Sequence, residues 1–339
     1  MDKLALIRQP IEQELKLYQE LFEKDFTSEN PLLHMALQHI RKKQGKRMRP
    51  ILTLLAARAV GGVGQPVLPS AVLHAAVSLE VLHTASLVHD DIIDESDKRR
   101  GQPTLHTFLG TTPSILVGDY LLARSIHHSA QTRCTAAVDA IARIAELLAN
   151  GELLQMYTID SDTISEQVYY DVIRRKTACV FATAAQLGAL LSSQASTSCT
   201  TNGVGDTPVL VEALRLFGEN LGIAFQIRDD MLDYADSTQL GKPTGNDMRE
   251  GKLTLPVIHA VSEQPSLLPL ALKVRHGEAD DNDIAQLIDA TIQQGGLVYA
   301  ERMTQQFVDL AIASLSALAP SVYRDALVLF AKLVVQRTV

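Results

Sequence analysis

The chain has 339 residues, of which 46 % are hydrophobic and 21 % are charged, and its formal net charge is −8. These proportions are those of an ordinary soluble globular protein with a large buried core, and they exclude an intrinsically disordered chain. The acidic balance, without a block of basic residues, argues against nucleic acid as the main partner.

Features that report on the cellular compartment point to the cytoplasm. Cys134, Cys179 and Cys199 have neither CxxC nor zinc-type spacing, which predicts reduced intracellular thiols. The first twenty residues carry charges throughout and lack the apolar centre of a signal peptide. We expect no apolar run to approach the roughly 18 residues that a spanning helix needs, and therefore a cytoplasmic protein without a transmembrane segment.

Helical periodicity runs along the whole chain, and alternating β-branched runs bounded by turns are almost absent. Breaks rich in glycine, proline and small polar residues fall near 61–64, 101–103, 110–113, 192–208, 241–251 and 264–269. None of these breaks marks a boundary between two separate hydrophobic cores. We therefore predict an all-α protein in which residues 1–339 form a single domain.

Two apolar segments of the chain share one design. Pro69 begins the first, and 21 residues later comes Asp90 in the sequence HDDIID. Pro208 begins the second, and Asp229 of RDDMLD follows after the same interval of 21 residues. Because proline is well tolerated in the first turn of a helix, each segment predicts one long helix that ends in a DDxxD motif.

The spacing within each motif determines which carboxylates lie together. The outer aspartates are four residues apart, so Asp90 is expected beside Asp94 on one helix face, and Asp229 beside Asp233. The middle aspartates lie about 100° further round the helix, where they suit supporting contacts; they are Asp91 and Asp230.

The position of the motifs at helix C-termini favours a bound cation. The helix dipole is negative there and the carboxylates repel one another, so a cation would remove both penalties. Hard oxygen ligands favour Mg²⁺, which takes one or two carboxylates together with phosphate oxygens. One acidic triplet is equally typical of a solvated helix end, but two copies after matching helices favour metal ions around a polyanion such as diphosphate.

Basic residues near the breaks supply the cations that a diphosphate needs, since arginine grips phosphate with two parallel bonds and lysine adds a point charge. They are Lys46 and Arg49 of GKRMRP, Arg99 and Arg100 of RRG, Lys176 of RRKTA, and Lys242 and Lys252 of GKPTGNDMREGK. Each cluster alone also fits a solvated surface run. Their joint occurrence with two acidic motifs favours a phosphate site.

Two polar residues precede the motifs on the same helix faces. His83 lies two turns before Asp90, and Gln226 lies three residues before Asp229. A lone histidine is more often a core residue, but this face leads to the expected metal. A neutral amide such as Gln226 can orient a substrate without attacking it.

Together these stretches resemble the trans-isoprenyl diphosphate synthase family. The matching stretches, in chain order, are GKRMRP (45–50), LHTASLVHDDIIDESDKRRG (82–101), GDYLLA (118–123), GELLQ (151–155), KTA (176–178), FQIRDDMLDY (225–234) and GKPTGND to EGKLTLP (241–256). The resemblance implies the isoprenoid-synthase fold, a helical bundle around a deep central cavity, usually as a homodimer. It also implies a Mg²⁺-dependent prenyltransferase that condenses isopentenyl diphosphate with an allylic diphosphate.

The resemblance also implies a role for each matching residue. Magnesium would be bound by Asp90, Asp94 and Asp229. The allylic diphosphate would be gripped by Arg99, Lys176, Lys242 and Lys252. Isopentenyl diphosphate would be held by Lys46, Arg49, His83 and Arg100, and the residues beside the reacting carbon would be Thr177 and Gln226.

Product length should depend on the side chains beneath the first motif. Ala85 and Ser86, five and four residues before Asp90, are small, and Leu82 lies one turn further down. In the family, bulky aromatic residues near these positions are associated with short products. One helical turn rises about 5.4 Å, similar to one five-carbon unit. We expect a long all-trans polyprenyl diphosphate for quinone side chains, made from farnesyl or geranylgeranyl diphosphate, and transient membrane contact when it is released.

Four other functions remain to be weighed. The nearest is a short-chain synthase that makes farnesyl or geranylgeranyl diphosphate. A terpene cyclase would share one DDxxD helix, but it needs no isopentenyl site. A non-catalytic subunit of a heteromeric synthase should have lost ligands that this chain keeps, and a purely structural helical protein would bury like charges without a ligand.

Overall fold

A computed structural model describes residues 3–42, 45–61, 68–99, 101–159, 161–192, 207–234 and 245–335. The described residues are almost entirely helical, and strands β1 (Lys98–Arg99) and β2 (Gln102–Pro103) form a short antiparallel pair. The prediction of an all-α protein is therefore confirmed.

The helices of the first half are α1 (Lys3–Arg8), α2 (Glu12–Glu23), α3 (Pro31–Arg41), α4 (Met48–Gly61), α5 (Ser70–Ile93), α6 (Leu105–Leu109), α7 (Thr111–Gln131), α8 (Thr135–Ile159) and α9 (Glu166–Ile173). Helix ends fall at the predicted breaks near 61, 101–103 and 110, and also after α2, α3, α7 and α8, where no break was predicted. Pro69 is the N-cap residue of α5, directly before its first turn.

The helices of the second half include the second predicted long helix. They are α10 (Cys179–Ser192), α11 (Thr207–Leu232), α12 (Asn246–Arg249), α13 (Leu255–Glu263), α14 (Leu268–Arg275), α15 (Asp281–Gln293), α16 (Gly296–Ser314) and α17 (Val322–Val335). A π-helical turn, Arg174–Ala178, joins α9 to α10, and Pro208 lies in the first turn of α11, as predicted.

The chain divides into two compact units. The first comprises Met1–Glu146, Val180–Leu216 and Leu315–Leu329, and the second comprises Leu147–Cys179, Phe217–Ser314 and Phe330–Val339. The first DDxxD motif belongs to the first unit and the second motif to the second unit. A single domain around a common cavity stays a prediction.

Helix α5 forms much of the core of the first unit. It packs along α7 and also contacts α4 and α2. Two reciprocal hydrogen bonds join it to α7: Ser78 Oγ donates to the Ser125 carbonyl (2.8 Å), and Ser125 Oγ donates to the Ser78 carbonyl (2.9 Å). The first acidic motif is therefore carried by a helix whose position the core fixes.

Two glycines allow the helices of this unit to approach closely. A Cβ atom on Gly118 of α7 would overlap the His89 ring, which directly precedes Asp90. A Cβ atom on Gly188 of α10 would overlap the Thr53 carbonyl of α4. Glycine alone fits such contacts without displacing a neighbour, so the GDYLLA stretch has a packing function beside the first acidic motif.

A buried network of charged and polar groups also stabilises the first unit. Arg124 donates to Asp25 Oδ1, and His128 Nε2 lies 2.6 Å from Asp25 Oδ2. His128 Nδ1 in turn lies 2.9 Å from His74 Nδ1. The network joins the segment after α2 to helices α5 and α7.

We expect the stability of the protein to depend on pH through Asp25. Burial raises the pKa of this carboxyl, but hydrogen bonds from His128 and Arg124 outweigh burial and hold the pKa below its ordinary value. A pKa lowered by folding stabilises the protein above the unfolded-state pKa of roughly 4, and this contribution is lost as pH falls through the folded-state pKa. Asp25→Asn should lower the free energy of unfolding by about 3 kcal/mol at neutral pH, the lower end for a broken buried ion pair, because Arg124 is partly exposed.

Urea titrations of wild type and variant between about pH 7 and pH 3 measure this difference, which should shrink below roughly pH 4. Asp139→Asn, on the exposed face of α8, serves as the control and should change stability by less than about 0.5 kcal/mol. A difference between Asp25→Asn and wild type that stays constant with pH would contradict the interpretation.

Helix α13 lies between two apolar clusters of the second unit. One cluster joins it to α9, α11 and α16, and the other joins it to α12, α14 and α15. Arg275 of α14 donates to the carbonyls of Ser161 (2.9 Å) and Thr163 (2.8 Å). These contacts hold the segment that leads into α9 against the rest of the unit.

Among the described residues, helix α5 is long and apolar enough to cross a membrane, by length and composition. Ser70–Ile93 contains an 18-residue window with a mean hydropathy of 1.5, and 56 % of that window is buried inside the protein. The expectation that no apolar run reaches this length is therefore wrong for α5. Burial of this extent is typical of a core helix, and the absence of a transmembrane segment stays a prediction.

The cysteines differ from the expectation of three reduced thiols. Cys179 is a free and half-buried thiol, whereas Cys134 is disulfide-bonded. The expectation is therefore wrong for Cys134. Cys199 lies outside the described residues.

Candidate active site

The first acidic motif ends helix α5. The helix ends at Ile93, and Asp94 follows as its C-cap, with its backbone N–H bonded to the Asp90 carbonyl (2.9 Å). The Asp90 and Asp94 side chains are half-exposed, so ligands from solvent can reach them. Carboxylate oxygens at the negative end of a helix dipole fit the chemistry of Mg²⁺.

The middle aspartate of this motif has a different environment. Asp91 is buried, and Arg99 Nε of β1 donates to its Oδ1 (2.5 Å). The ion pair fixes the Arg99 guanidinium close to the first acidic motif. This contact uses Nε, so the two terminal nitrogens of Arg99 take no part in it.

Two of the residues predicted to bind isopentenyl diphosphate lie at the start of α4. Lys46 has an exposed side chain, and its carbonyl accepts a hydrogen bond from Arg8 Nη2 (2.8 Å). The Arg49 guanidinium lies over the Phe181 ring, 5.1 Å from its centroid.

Arg47, between them, has a structural role that the sequence analysis missed. Its φ of 54° is in the left-handed region. Its guanidinium lies over the rings of Tyr18 and Phe22, 5.8 Å and 5.3 Å from the centroids. Cation–π contacts of this kind hold the GKRMRP segment against α2.

The turns of α5 before the first motif carry the residues predicted to set product length. Leu82 and Ala85 are buried, whereas Ser86 is half-buried and donates from its hydroxyl to the His83 carbonyl (2.9 Å). At roughly 100° per residue, Ser86 lies about 40° from Asp90 around the helix and Ala85 about 140°. Ser86 therefore shares the face of Asp90, and Ala85 does not.

The second acidic motif has an exposed first aspartate and a buried second one. Helix α11 ends at Leu232, three residues beyond Asp229, whose side chain is exposed. Asp233 comes after the helix end, and its carboxylate accepts the backbone N–H groups of Asn246 (2.9 Å) and Asp247 (3.0 Å). The third aspartate thus binds the start of α12 instead of pairing with Asp229.

A chain of hydrogen bonds surrounds Asp230. Thr177 Oγ1 donates to Gln226 Oε1 (2.7 Å), and Gln226 Nε2 donates to Asp230 Oδ1 (2.7 Å). Tyr169 donates its hydroxyl to Asp230 Oδ2 (2.6 Å). Burial raises the pKa of Asp230 to about 7, although the bonds from Tyr169 and Gln226 act in the opposite direction. The structure thereby brings together three residues that the sequence singled out and adds Tyr169.

Lys176 lies in the π-helical turn between α9 and α10. Its Nζ is ion-paired with Glu152 and donates to Gln155 Oε1 (3.0 Å). A Cβ atom on Gly151 would lie 2.9 Å from both Arg175 Cβ and Lys176 Cγ, so glycine is needed for this approach. The GELLQ stretch is thus the partner of Lys176, and π-helical turns are frequent at functional sites.

Lys252 lies three residues after the end of α12. Its Nζ lies 2.7 Å from Glu250 Oε2, and its backbone N–H donates to the Asp247 carbonyl (2.8 Å). Lys242 and Arg100 lie outside the described residues.

Residues 30–291 match the protein family described as polyprenyl synthetase. The chain belongs to this family. Octaprenyl diphosphate synthase from Escherichia coli (strain K12) is 34 % identical to it over 319 residues, which is 93 % of each chain. The resemblance found in the sequence is therefore confirmed.

Solved structures of polyprenyl synthetases share the fold. A polyprenyl synthase from Caulobacter crescentus CB15, complexed with calcium and isoprenyl diphosphate, has a TM-score of 0.87 and 31 % identity, with 98 % of each chain covered. A geranylgeranyl pyrophosphate synthase from Bacteroides thetaiotaomicron has a TM-score of 0.83 and 41 % identity, covering 99 % of this chain and all of the other. The predicted isoprenoid-synthase fold is confirmed.

Within the residues that the structure describes, no group of three or more His, Cys, Asp or Glu side chains is arranged to hold a metal ion. The sequence assigns two ligands to the first motif and one to the second, so neither motif supplies three. Mg²⁺ usually takes one or two protein carboxylates and completes its shell with water and phosphate. The carboxylates present in this polyprenyl synthetase therefore suit Mg²⁺ that arrives together with a diphosphate.

Proposed function

We propose that the chain is a Mg²⁺-dependent synthase that condenses isopentenyl diphosphate with an allylic diphosphate and repeats this step. Membership of the polyprenyl synthetase family confirms the predicted enzyme class, a prenyltransferase. The observation that carries the proposal for the site is common to both motifs. In each, the first aspartate is accessible to solvent, so a ligand can reach it, and the second is buried and hydrogen-bonded.

The acidic residues would hold the metal ions. Magnesium bound by Asp90, Asp94 and Asp229 would stabilise the negative charge that develops on the departing diphosphate. The Caulobacter synthase, complexed with calcium and isoprenyl diphosphate, supports the use of a divalent cation. Asp91 and Asp230 would keep their neighbouring ligands oriented through their own hydrogen bonds.

The basic residues would bind the two diphosphates. The allylic diphosphate would be gripped by Arg99, Lys176, Lys242 and Lys252, and isopentenyl diphosphate would be held by Lys46, Arg49, His83 and Arg100. Lys176 is already fixed by Glu152 and Gln155, so little reorganisation precedes binding. Fixed cations of this kind stabilise a leaving anion more effectively than water can.

The reacting carbon carries positive charge once the diphosphate has left. Thr177 and Gln226 would face it with neutral dipoles, since a strong nucleophile at this place would trap the cation. The double bond of isopentenyl diphosphate attacks the cation, and a proton is then lost. We propose that the released diphosphate accepts this proton.

Two observations bear on product length. The octaprenyl relative favours a long chain, whereas the geranylgeranyl synthase from Bacteroides belongs to a short-chain product class. The residues before the first motif also favour the long chain, because Ser86, which shares the face of Asp90, has a small side chain. A long polyprenyl diphosphate of this kind suits quinone side chains.

We also propose that the enzyme is a cytoplasmic homodimer that contacts a membrane only transiently, when its apolar product leaves. Helix α7 carries several exposed apolar side chains, which suit burial against a second copy of the chain; they are Ile115, Leu116 and Ile126.

Incubation of the purified chain with farnesyl diphosphate, isopentenyl diphosphate and Mg²⁺ tests the proposal. Mass spectrometry should find polyprenyl diphosphates longer than twenty carbons, and EDTA should abolish their formation. Products that stop at twenty carbons would favour the short-chain synthase, and a cyclic hydrocarbon would favour the cyclase. No turnover by the isolated chain would favour a non-catalytic subunit.

A further inference from the structure

Both oxygens of the Asp230 carboxylate are engaged inside the second unit. Oδ1 accepts from Gln226, and Oδ2 accepts from Tyr169. The carboxylate is only 5 % exposed and the tyrosine only 8 % exposed, so water cannot easily replace either donor. Asp230 is therefore held by two protein hydrogen bonds to a charged group, which are stronger than bonds between neutral groups.

The carboxylate in turn determines how the Gln226 amide is oriented. Both Asp230 oxygens accept hydrogen bonds, so Gln226 presents its Nε2 to the carboxyl group and directs Oε1 towards Thr177. Because Oε1 only accepts, the Thr177 hydroxyl must donate to it. The negative end of the Thr177 hydroxyl dipole then points away from Gln226, which suits a neighbouring centre of positive charge.

We propose that Tyr169 is a positioning residue for the condensation, which acts through Asp230 to orient Gln226 and Thr177. The inference rests on the proposed function, since it concerns the carbon that reacts there. Tyr169 itself is firmly placed, because its ring belongs to an apolar cluster with α11, α13 and α16.

Loss of the tyrosine hydroxyl leaves Oδ2 of a buried carboxylate without a donor. The carboxylate can then rotate about its Cβ–Cγ bond, so Oδ1 no longer holds Gln226 Nε2 at one place. The Gln226 amide moves with Oδ1, and the Thr177 hydroxyl, which donates to Gln226 Oε1, shifts with it. The result is a weaker electrostatic environment for the transition state, with substrate binding largely preserved.

Tyr170 provides a matched control in the same apolar cluster. It is also 8 % exposed, and its ring packs edge-on against Tyr169 with centroids 5.5 Å apart. In the part of the chain that the structure describes, its buried hydroxyl makes no hydrogen bond. Tyr170→Phe therefore removes the same atom from the same helix without touching Asp230.

The test compares Tyr169→Phe with Tyr170→Phe in steady-state assays of the full chain with farnesyl diphosphate, isopentenyl diphosphate and Mg²⁺. Tyr169→Phe should lower kcat about tenfold, the effect of one hydrogen bond to a charged group, while KM for isopentenyl diphosphate stays within about twofold. Tyr170→Phe should leave both parameters unchanged. Equal kinetics of the two variants would overturn the inference.

A second comparison separates positioning from a general structural role. In a Gln226→Ala background, Tyr169→Phe should lower kcat by less than about twofold, because the residue through which it acts is gone. A further tenfold loss in that background would show independent effects and would overturn the inference, although the proposed function would stand. A wild-type chain that forms no polyprenyl diphosphate would overturn the proposed function, and the inference with it.

Discussion

Asp229→Asn should lower kcat about a thousandfold, which corresponds to roughly 4 kcal/mol of lost transition-state stabilisation. The substitution removes the negative charge from the one ligand that we assign to the second motif, so a metal ion would be held less tightly against the departing diphosphate. Because the Asp229 side chain is exposed, the fold should tolerate the change. Assays with labelled isopentenyl diphosphate over a range of Mg²⁺ concentrations measure the loss, and Asp90→Asn should behave alike.

Asp233→Asn is the matched control within the same motif. An asparagine side chain still accepts one of the two backbone hydrogen bonds that Asp233 receives from Asn246 and Asp247, so kcat should fall by less than about tenfold. Equal losses for Asp229→Asn and Asp233→Asn would contradict the different roles that we assign to them. An Asp229→Asn enzyme that keeps more than a tenth of its activity would contradict metal binding at this residue.

Ser86→Phe should shorten the product to about twenty carbons or fewer. Ser86 lies one turn before Asp90 on the same helix face, and one turn of about 5.4 Å is similar to one five-carbon unit. A phenyl ring at this level would fill the space that the second or third added unit needs. Chromatography of the dephosphorylated products measures the distribution.

Two further variants of α5 sharpen this test. Ser86→Ala removes the hydroxyl without adding bulk and should leave the product length unchanged. The sequence predicts that Ala85→Tyr also shortens the product, but Ala85 is only 2 % exposed, so this variant should in addition lose about 1–3 kcal/mol of stability through overpacking. A Ser86→Phe enzyme with the wild-type distribution would exclude Ser86 from the path of the growing chain.

The two long helices were predictable because their signals are local. Pro69 and Pro208 stand at or beside the first turns of α5 and α11, and both helices end within the predicted motifs. The contrast within each motif, an accessible first aspartate and a buried second one, follows from the helical period alone. Spacing does not reveal which group donates a hydrogen bond to the buried carboxylate.

The remaining features depend on contacts between residues that are distant in sequence. Tyr169 lies 61 residues before Asp230, and no local pattern distinguishes it from the neighbouring Tyr170. The partners of Lys176 lie in the GELLQ stretch, 21 residues earlier for Gln155. Asp233 could not be separated from Asp229 by spacing, because the helix ends between them and the start of α12 supplies new backbone donors.

The capping role of Asp233 has a consequence for how such enzymes are recognised. A helix start accepts any short side chain with an oxygen acceptor, so serine, threonine or asparagine would keep one of the two hydrogen bonds that aspartate accepts here. An enzyme with serine at the position of Asp233 would keep its metal ligands. A sequence search that requires three acidic residues in the second motif would nevertheless miss it. A count of aspartates therefore overstates the number of metal ligands, because Asp233 binds the start of α12 instead.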